Sequence, residues 1–200
     1  MHPDDILDTY AQNARGFAKH RSKILYERKW LDRTLAHAPG RRVLDLGCGS
    51  GDPIARYLND RRAHVTGVDG AAEMITLFQQ TLPEAQAIHA DMRGLNLGRE
   101  FDIILAWNSF FHLGPADQRA MFPTFANHAA PGAVLLFTSG PEESEVIGEV
   151  EGAPVYHSSF DPKEYRALLG AAEFEVLKYV PEDPDCAGHT VWLARKVAIA

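Results

Sequence analysis

Cysteine is nearly absent: the 200 residues hold two, Cys48 and Cys186, far apart and outside any CxxC pair. That spacing supports neither a zinc site nor a dithiol redox motif, so no metal and no structural disulfide are expected. Positive charge is also short, with 20 Lys and Arg against 27 Asp and Glu and a formal net charge of −7. Such a balance argues against a broad basic surface for phosphate backbones, and nucleic acid is not the expected partner. No apolar run approaches the roughly 18 residues of a membrane span, and "MHPDDILDTY" lacks the basic and apolar blocks of a signal peptide. The expectation is a cytoplasmic chain with no membrane partner. Repeats and linker-like stretches are missing too, so a single domain over 1–200 is expected, and a chain this long buries roughly 70% of its unfolded surface.

What is present is alternation. Residues 1–38 read as a helical cap, with Ile6, Tyr10, Phe17, Ile24, Leu25, Leu31 and Leu35 at roughly helical intervals, Gly16 as a candidate break and Pro39-Gly40 as the stop. Strands then alternate with helices. "RRVLDL" (41–46) reads as strand, 52–60 as helix with Asp52 as N-cap and Pro53 at the first helical position, and 63–69 as strand. Helix 71–82, strands 85–91 and 100–108, helix 115–129 and strand 133–139 follow. Near the end come a hairpin around Glu151-Gly152, a candidate lid over 144–158, and a helix capped by Asp161. Strands 174–180 and 189–196 close the chain, and their short connection predicts antiparallel pairing. The fold class predicted is α/β: Rossmann-like, doubly wound, with a mostly parallel seven-stranded sheet, an antiparallel last strand and helices on both faces.

The segment "VLDLGCGSG" (43–51) runs an apolar strand through Asp45 into glycines at every second position. In an open parallel sheet, ligands bind beyond the carboxyl ends of strands where the strand order reverses. Gly47 and Gly49 let the backbone turn tightly and approach a ligand, and the loop leads into a helix N-terminus. Asp69 ends the second strand 22 residues after Gly47, where a carboxylate can accept hydrogen bonds from ribose hydroxyls. Together these features point to a nucleoside.

With "HADMRG" (89–94) and "FDIILAWNSFFHL" (101–113), the sequence resembles the class I S-adenosylmethionine-dependent methyltransferases. The resemblance implies that Asp45, Gly47, Cys48 and Gly49 face the methionine part of the cofactor, Asp69 with Gly70 the ribose, and Met74 the adenine. It further implies that Asp91 and Met92 meet the adenine amino group and ring, and that Trp107 and Asn108 line the floor near the sulfonium.

Methyl transfer from a sulfonium requires an in-line nucleophile held close, so positioning can supply much of the rate. Where the acceptor must lose a proton, histidine has a suitable pKa. His112 and His157 are the candidates for that role, and Tyr10 and Arg15 for closing over the cofactor. The positions after the fourth strand read "NSFF" and not the Asn/Asp-Pro-Pro-aromatic run of nucleic-acid amino methylases, which points to a small-molecule acceptor methylated on O, N or S. A nicotinamide oxidoreductase is the first rival, disfavoured by GxGxG in place of GxGxxG. A noncatalytic cofactor-binding module is the second. Oligomeric state is not legible in the sequence.

Overall fold

The structure is a computed structural model and describes residues 2–198. Its centre is a seven-stranded sheet in the order β3-β2-β1-β4-β5-β9-β8. The strands are β1 (Arg42–Leu46), β2 (His64–Asp69), β3 (Gln86–His89), β4 (Phe101–Ala106), β5 (Ala129–Ser139), β8 (Phe174–Asp183) and β9 (His189–Lys196). The first five pair in parallel, whereas β9 lies antiparallel between β5 and β8. This is the predicted doubly wound sheet. Strands β6 (Ser144–Val150) and β7 (Ala153–Ser159) form a separate antiparallel hairpin. Its turn uses Glu151 and Gly152, both at positive φ, as a tight two-residue turn requires.

Alternation along the central strands sends side chains to two cores. Leu44, Leu46, Ile104, Ala106, Leu135 and Phe137 pack on one face, under helices α5 (Pro115–His128) and α6 (Pro162–Ala171). Val43, Ile103, Leu105, Val134 and Leu136 pack on the other, under α2 (Arg28–His37), α3 (Ile54–Asp60) and Phe78 of α4 (Ala72–Thr81). Every residue of β4 is buried, as a central parallel strand covered on both faces requires. Each fully buried large side chain contributes about 1.5–3 kcal/mol, so these two layers hold the sheet edge, and the loops that leave it, in place. Among the described residues no helix is long and apolar enough to cross a membrane.

Three local expectations need correction. The helical cap does not break at Gly16: α1 (Ile6–His20) runs through it, and the chain leaves the helix at Arg21 before α2 begins. Gly16 serves close approach instead, because a Cβ there would lie 2.7 Å from Glu151 Oε2 at the hairpin tip. Asp52 is not a cap either. Pro53 occupies the N-cap position of α3, while the Asp52 carboxylate pairs with Lys23 at 3.1 Å and with Arg56 at 3.5 Å. Strand β5 begins four residues early, directly at the end of α5.

Candidate active site

Strand order reverses between β1 and β4, and a cleft opens at their carboxyl ends, as expected for an open parallel sheet. The loop after β1 is fastened to its neighbour: Gly47 and Cys48 both donate their N–H to the Val68 carbonyl, at 2.8 and 3.1 Å. Gly47 sits at φ +74°, and a Cβ there would run into the Ser109 side chain, so only glycine fits. Gly49, at φ +53°, differs: a Cβ built on it would meet nothing within 4 Å. The backbone there borders open space.

Asp69 ties two loops together. One carboxylate oxygen accepts the Gly49 N–H and the other the Ala71 N–H, each at 2.9 Å. Burial raises its pKa, and these two hydrogen bonds oppose the rise. Asp45 lies at the bottom, buried, and its carboxyl has no hydrogen-bond partner among the described residues. Desolvation pushes its pKa up to about 7; the nearby Arg21 guanidinium works against the shift and Asp69 adds to it. A half-ionised, unpartnered carboxyl of this kind is poised to ionise against a ligand cation.

All eleven residues assigned above to the cofactor line this one cleft, which encloses about 970 Å³ counting the part open to solvent. At its outer end Met74 is buried beside Ala14 and Ala71, and Leu7 of α1 rests on Gly70. Asp91 is held by Arg93, through the backbone N–H at 2.9 Å and the guanidinium at 2.7 and 2.9 Å. Arg93 also reaches Asp4 and Asp117, bringing the N-terminal turn to the rim.

At the inner end His112 is buried among α1, the short helical turn after β4 and the hairpin. Its Nε2 lies 3.1 Å from the Tyr10 hydroxyl and its Nδ1 2.9 Å from the Tyr156 carbonyl oxygen. Burial lowers its pKa to about 4, with the His157 ring adding a little and the Tyr156 carbonyl resisting. Tyr10 is pushed up to about 12 by burial and then by Asp69. Asn108, at φ +49°, donates its N–H to Thr138 Oγ1 at 2.8 Å, and its side chain bridges Thr138 and His189. Trp107 Nε1 is buried without a partner.

Two sequence expectations fall outside the cleft. His157 does not line it; the ring stands behind His112 at 4.7 Å and packs against Phe111. From β7 it is the Tyr156 carbonyl that hydrogen-bonds His112, while the His157 ring packs on the imidazole away from the cleft. Arg15 is exposed on the outer face of α1, and the arginine that lines the cleft is Arg21. Arg21 is steadied by the buried Glu27 at 3.3 Å. Neither Arg21 nor His189 carried a sequence signal, since a lone charged residue in a loop and a histidine at a strand start match no motif.

The family described as a methyltransferase domain matches residues 43–132. The dTDP-3-amino-3,6-dideoxy-alpha-D-glucopyranose N,N-dimethyltransferase of Streptomyces fradiae is 34% identical over 103 residues, which are 50% of this chain and 40% of that protein. The trans-aconitate 2-methyltransferase of Azoarcus sp. (strain BH72) is 38% identical over 95 residues, 46% of this chain and 36% of that one. The matched stretch thus spans less than half of either curated relative. Among solved structures, an amino pentose methyltransferase from Micromonospora echinaspora with bound S-adenosylmethionine superposes with a TM-score of 0.72 at 23% identity, covering 94% of this chain and 97% of that one. An S-adenosylmethionine-dependent methyltransferase from Clostridium acetobutylicum gives 0.73 at 14% identity, over 95% and 100%. Sheet order and cleft define a Rossmann-like fold. Residues 43–132 thus resemble a methyltransferase domain in sequence, and the chain as a whole shares the fold of solved S-adenosylmethionine-dependent methyltransferases.

Proposed function

We propose that the chain transfers a methyl group from S-adenosylmethionine to an O, N or S atom of a small-molecule acceptor, and does so in the cytoplasm. The observation that carries this reading is the join of Gly49 and Asp69 beside the unpartnered Asp45, a backbone cradle with a carboxylate on either side. The residues fit the cofactor: open space at Gly49 admits its chain, and Asp69 keeps lone pairs for ribose hydroxyls beyond the two N–H groups it already accepts. Asp45 and Arg21 complement an ammonium and a carboxylate. Met74 and Met92 offer apolar contact to a purine, and Asp91 keeps a lone pair for an exocyclic amine.

When bound, that cofactor supplies a methyl group on a positively charged sulfur. The chain's part is to hold and enclose. Helix α1 covers the cleft with Ile6, Leu7, Tyr10 and Phe17, which excludes water, and the hairpin backs His112 as part of the acceptor wall. Both pieces act as covers of one domain. Two of the curated relatives are named for a nucleotide-linked amino sugar and for trans-aconitate, both small, and this favours a small acceptor here.

S-adenosylhomocysteine at about 100 times its dissociation constant should stabilise the protein by roughly 2.7 kcal/mol, whereas NAD should leave the melting temperature unchanged. Stabilisation by NAD alone would sink the cofactor assignment. Product formed only with tRNA, rRNA or protein would sink the small-molecule acceptor, and binding without turnover would leave a noncatalytic module.

A further inference from the structure

Two histidines from distant parts of the chain stand in the same relation to the cleft. His112 points Nδ1 at the Tyr156 carbonyl oxygen at 2.9 Å, and His189 points Nδ1 at the Cys186 carbonyl oxygen at 2.8 Å. A carbonyl only accepts, so each Nδ1 carries the hydrogen. Burial depresses the pKa of both rings, His112 to about 4, and a neutral ring with Nδ1–H leaves Nε2 as an acceptor. The partners of the two Nε2 atoms are Tyr10 Oη at 3.1 Å and Asn108 Nδ2 at 2.8 Å, and both residues line the cleft.

Proton positions follow by elimination. The Tyr10 hydroxyl hydrogen goes to His112, so its oxygen can only receive a further hydrogen bond. Thr138 Oγ1 already accepts the Asn108 backbone N–H, so its own hydrogen goes to Asn108 Oδ1 at 3.0 Å. The Asn108 amide therefore has its oxygen occupied and one N–H spent on His189; a second N–H has no partner among the described residues. Turning the amide over would set Oδ1 against a bare Nε2 and Nδ2 against an oxygen whose hydrogen then has nowhere to go.

Building on the methyltransferase reading, we propose that His112 and His189 are positioning residues that fix Tyr10 as a hydrogen-bond acceptor and Asn108 as a donor, so that the methylated group is an amine or hydroxyl carrying a hydrogen and not a carboxylate. A carboxylate has no hydrogen to offer Tyr10 and would face its lone pairs. An amine or hydroxyl donates a hydrogen bond to Tyr10 Oη and keeps a lone pair for the methyl carbon, while a neighbouring acceptor atom of the same molecule meets Asn108; as the new C–N or C–O bond forms, the S–CH3 bond breaks, S-adenosylhomocysteine leaves and the displaced proton passes to solvent.

The test uses the whole protein with S-adenosylhomocysteine. Long-range 15N–1H spectra of the histidine side chains should show Nδ1–H and bare Nε2 for His112 and His189; Nε2–H on either ring would overturn the proposal. With methyl-labelled S-adenosylmethionine and a metabolite extract, the transferred label should survive base treatment, and release as methanol, the mark of a methyl ester, would overturn it too. His189→Gln, whose carbonyl oxygen can still receive from Asn108, should keep the rate, while His189→Leu should lower it roughly tenfold, about the worth of one hydrogen bond, with affinity for S-adenosylhomocysteine within about twofold. Equal rates in the two variants would remove His189 from its assigned role. Failure of S-adenosylhomocysteine to bind at all would instead defeat the underlying methyltransferase reading.

Discussion

The two ends of the cleft are built by different means. At the glycine-loop end, the loop after β1 and the end of β2 are joined through backbone groups: Gly47, Cys48, Gly49 and Ala71 all donate N–H groups to Val68 or Asp69. At the opposite, histidine-lined end, side chains are brought together from afar, Tyr10 with His112 and Asn108 with His189. A backbone-built half needs only glycine and a carboxylate at the right spacing, and tolerates little change at those few positions. A half built from side chains can be re-tuned residue by residue, and this is where members of one fold are free to differ in acceptor.

Replacement of Asp69 by Ala should have the largest effect on this contrast. It leaves the Gly49 and Ala71 N–H groups unpartnered, costing about 3 kcal/mol in chemical denaturation, and should abolish the stabilisation by S-adenosylhomocysteine. An unchanged ligand shift would detach the ribose from Asp69.

Next in size is a pair of opposed pH dependences. Asp45 has a folded pKa of about 7, above its ordinary value, so in the ligand-free protein its contribution is present at low pH and is lost as pH rises toward 7. His112 has a folded pKa of about 4, below its ordinary value, so the unfolded chain takes the proton first and stability is lost as pH falls from about 6.5 to 4. The two slopes oppose each other between pH 4 and 6.5. Relative to the parent, Asp45→Asn should therefore gain stability with rising pH in that window, and His112→Gln should lose it, each by about 1 kcal/mol per pH unit. Parallel denaturation curves for all three proteins across that range would show that neither group titrates as described.

Smallest is the effect of loosening the hairpin tip. Glu151 meets His20 at 2.9 Å across a largely exposed contact, and Glu151→Gln should change stability by less than about 0.5 kcal/mol. A larger loss would mean that this contact, and not the buried Nδ1 bond of His112, fastens the hairpin to α1.

The same contrast decides what could be read from the sequence. The buried apolar runs of β1, β4 and β5 and the Asp161 cap of α6 are local signals and are found where expected. The meeting of the glycine loop with Asp69 is local too, because glycine periodicity and the position of Asp69 lie within one β-α-β stretch. Arg21 was missed because its place follows from where α1 ends, and that end is marked by neither glycine nor proline. The Tyr156 carbonyl carried no signal because sequence displays side chains, while strand register decides which backbone atoms of β7 meet His112.

The bond from His112 Nδ1 to a main-chain oxygen places the ring under the command of strand alignment. Residue identity at position 156 is immaterial to it, so the hairpin's composition can drift freely while its phase cannot. A slip of β7 by a single residue would withdraw that oxygen, release the imidazole hydrogen to its opposite nitrogen, and turn the phenol of Tyr10 from a receiver into a giver.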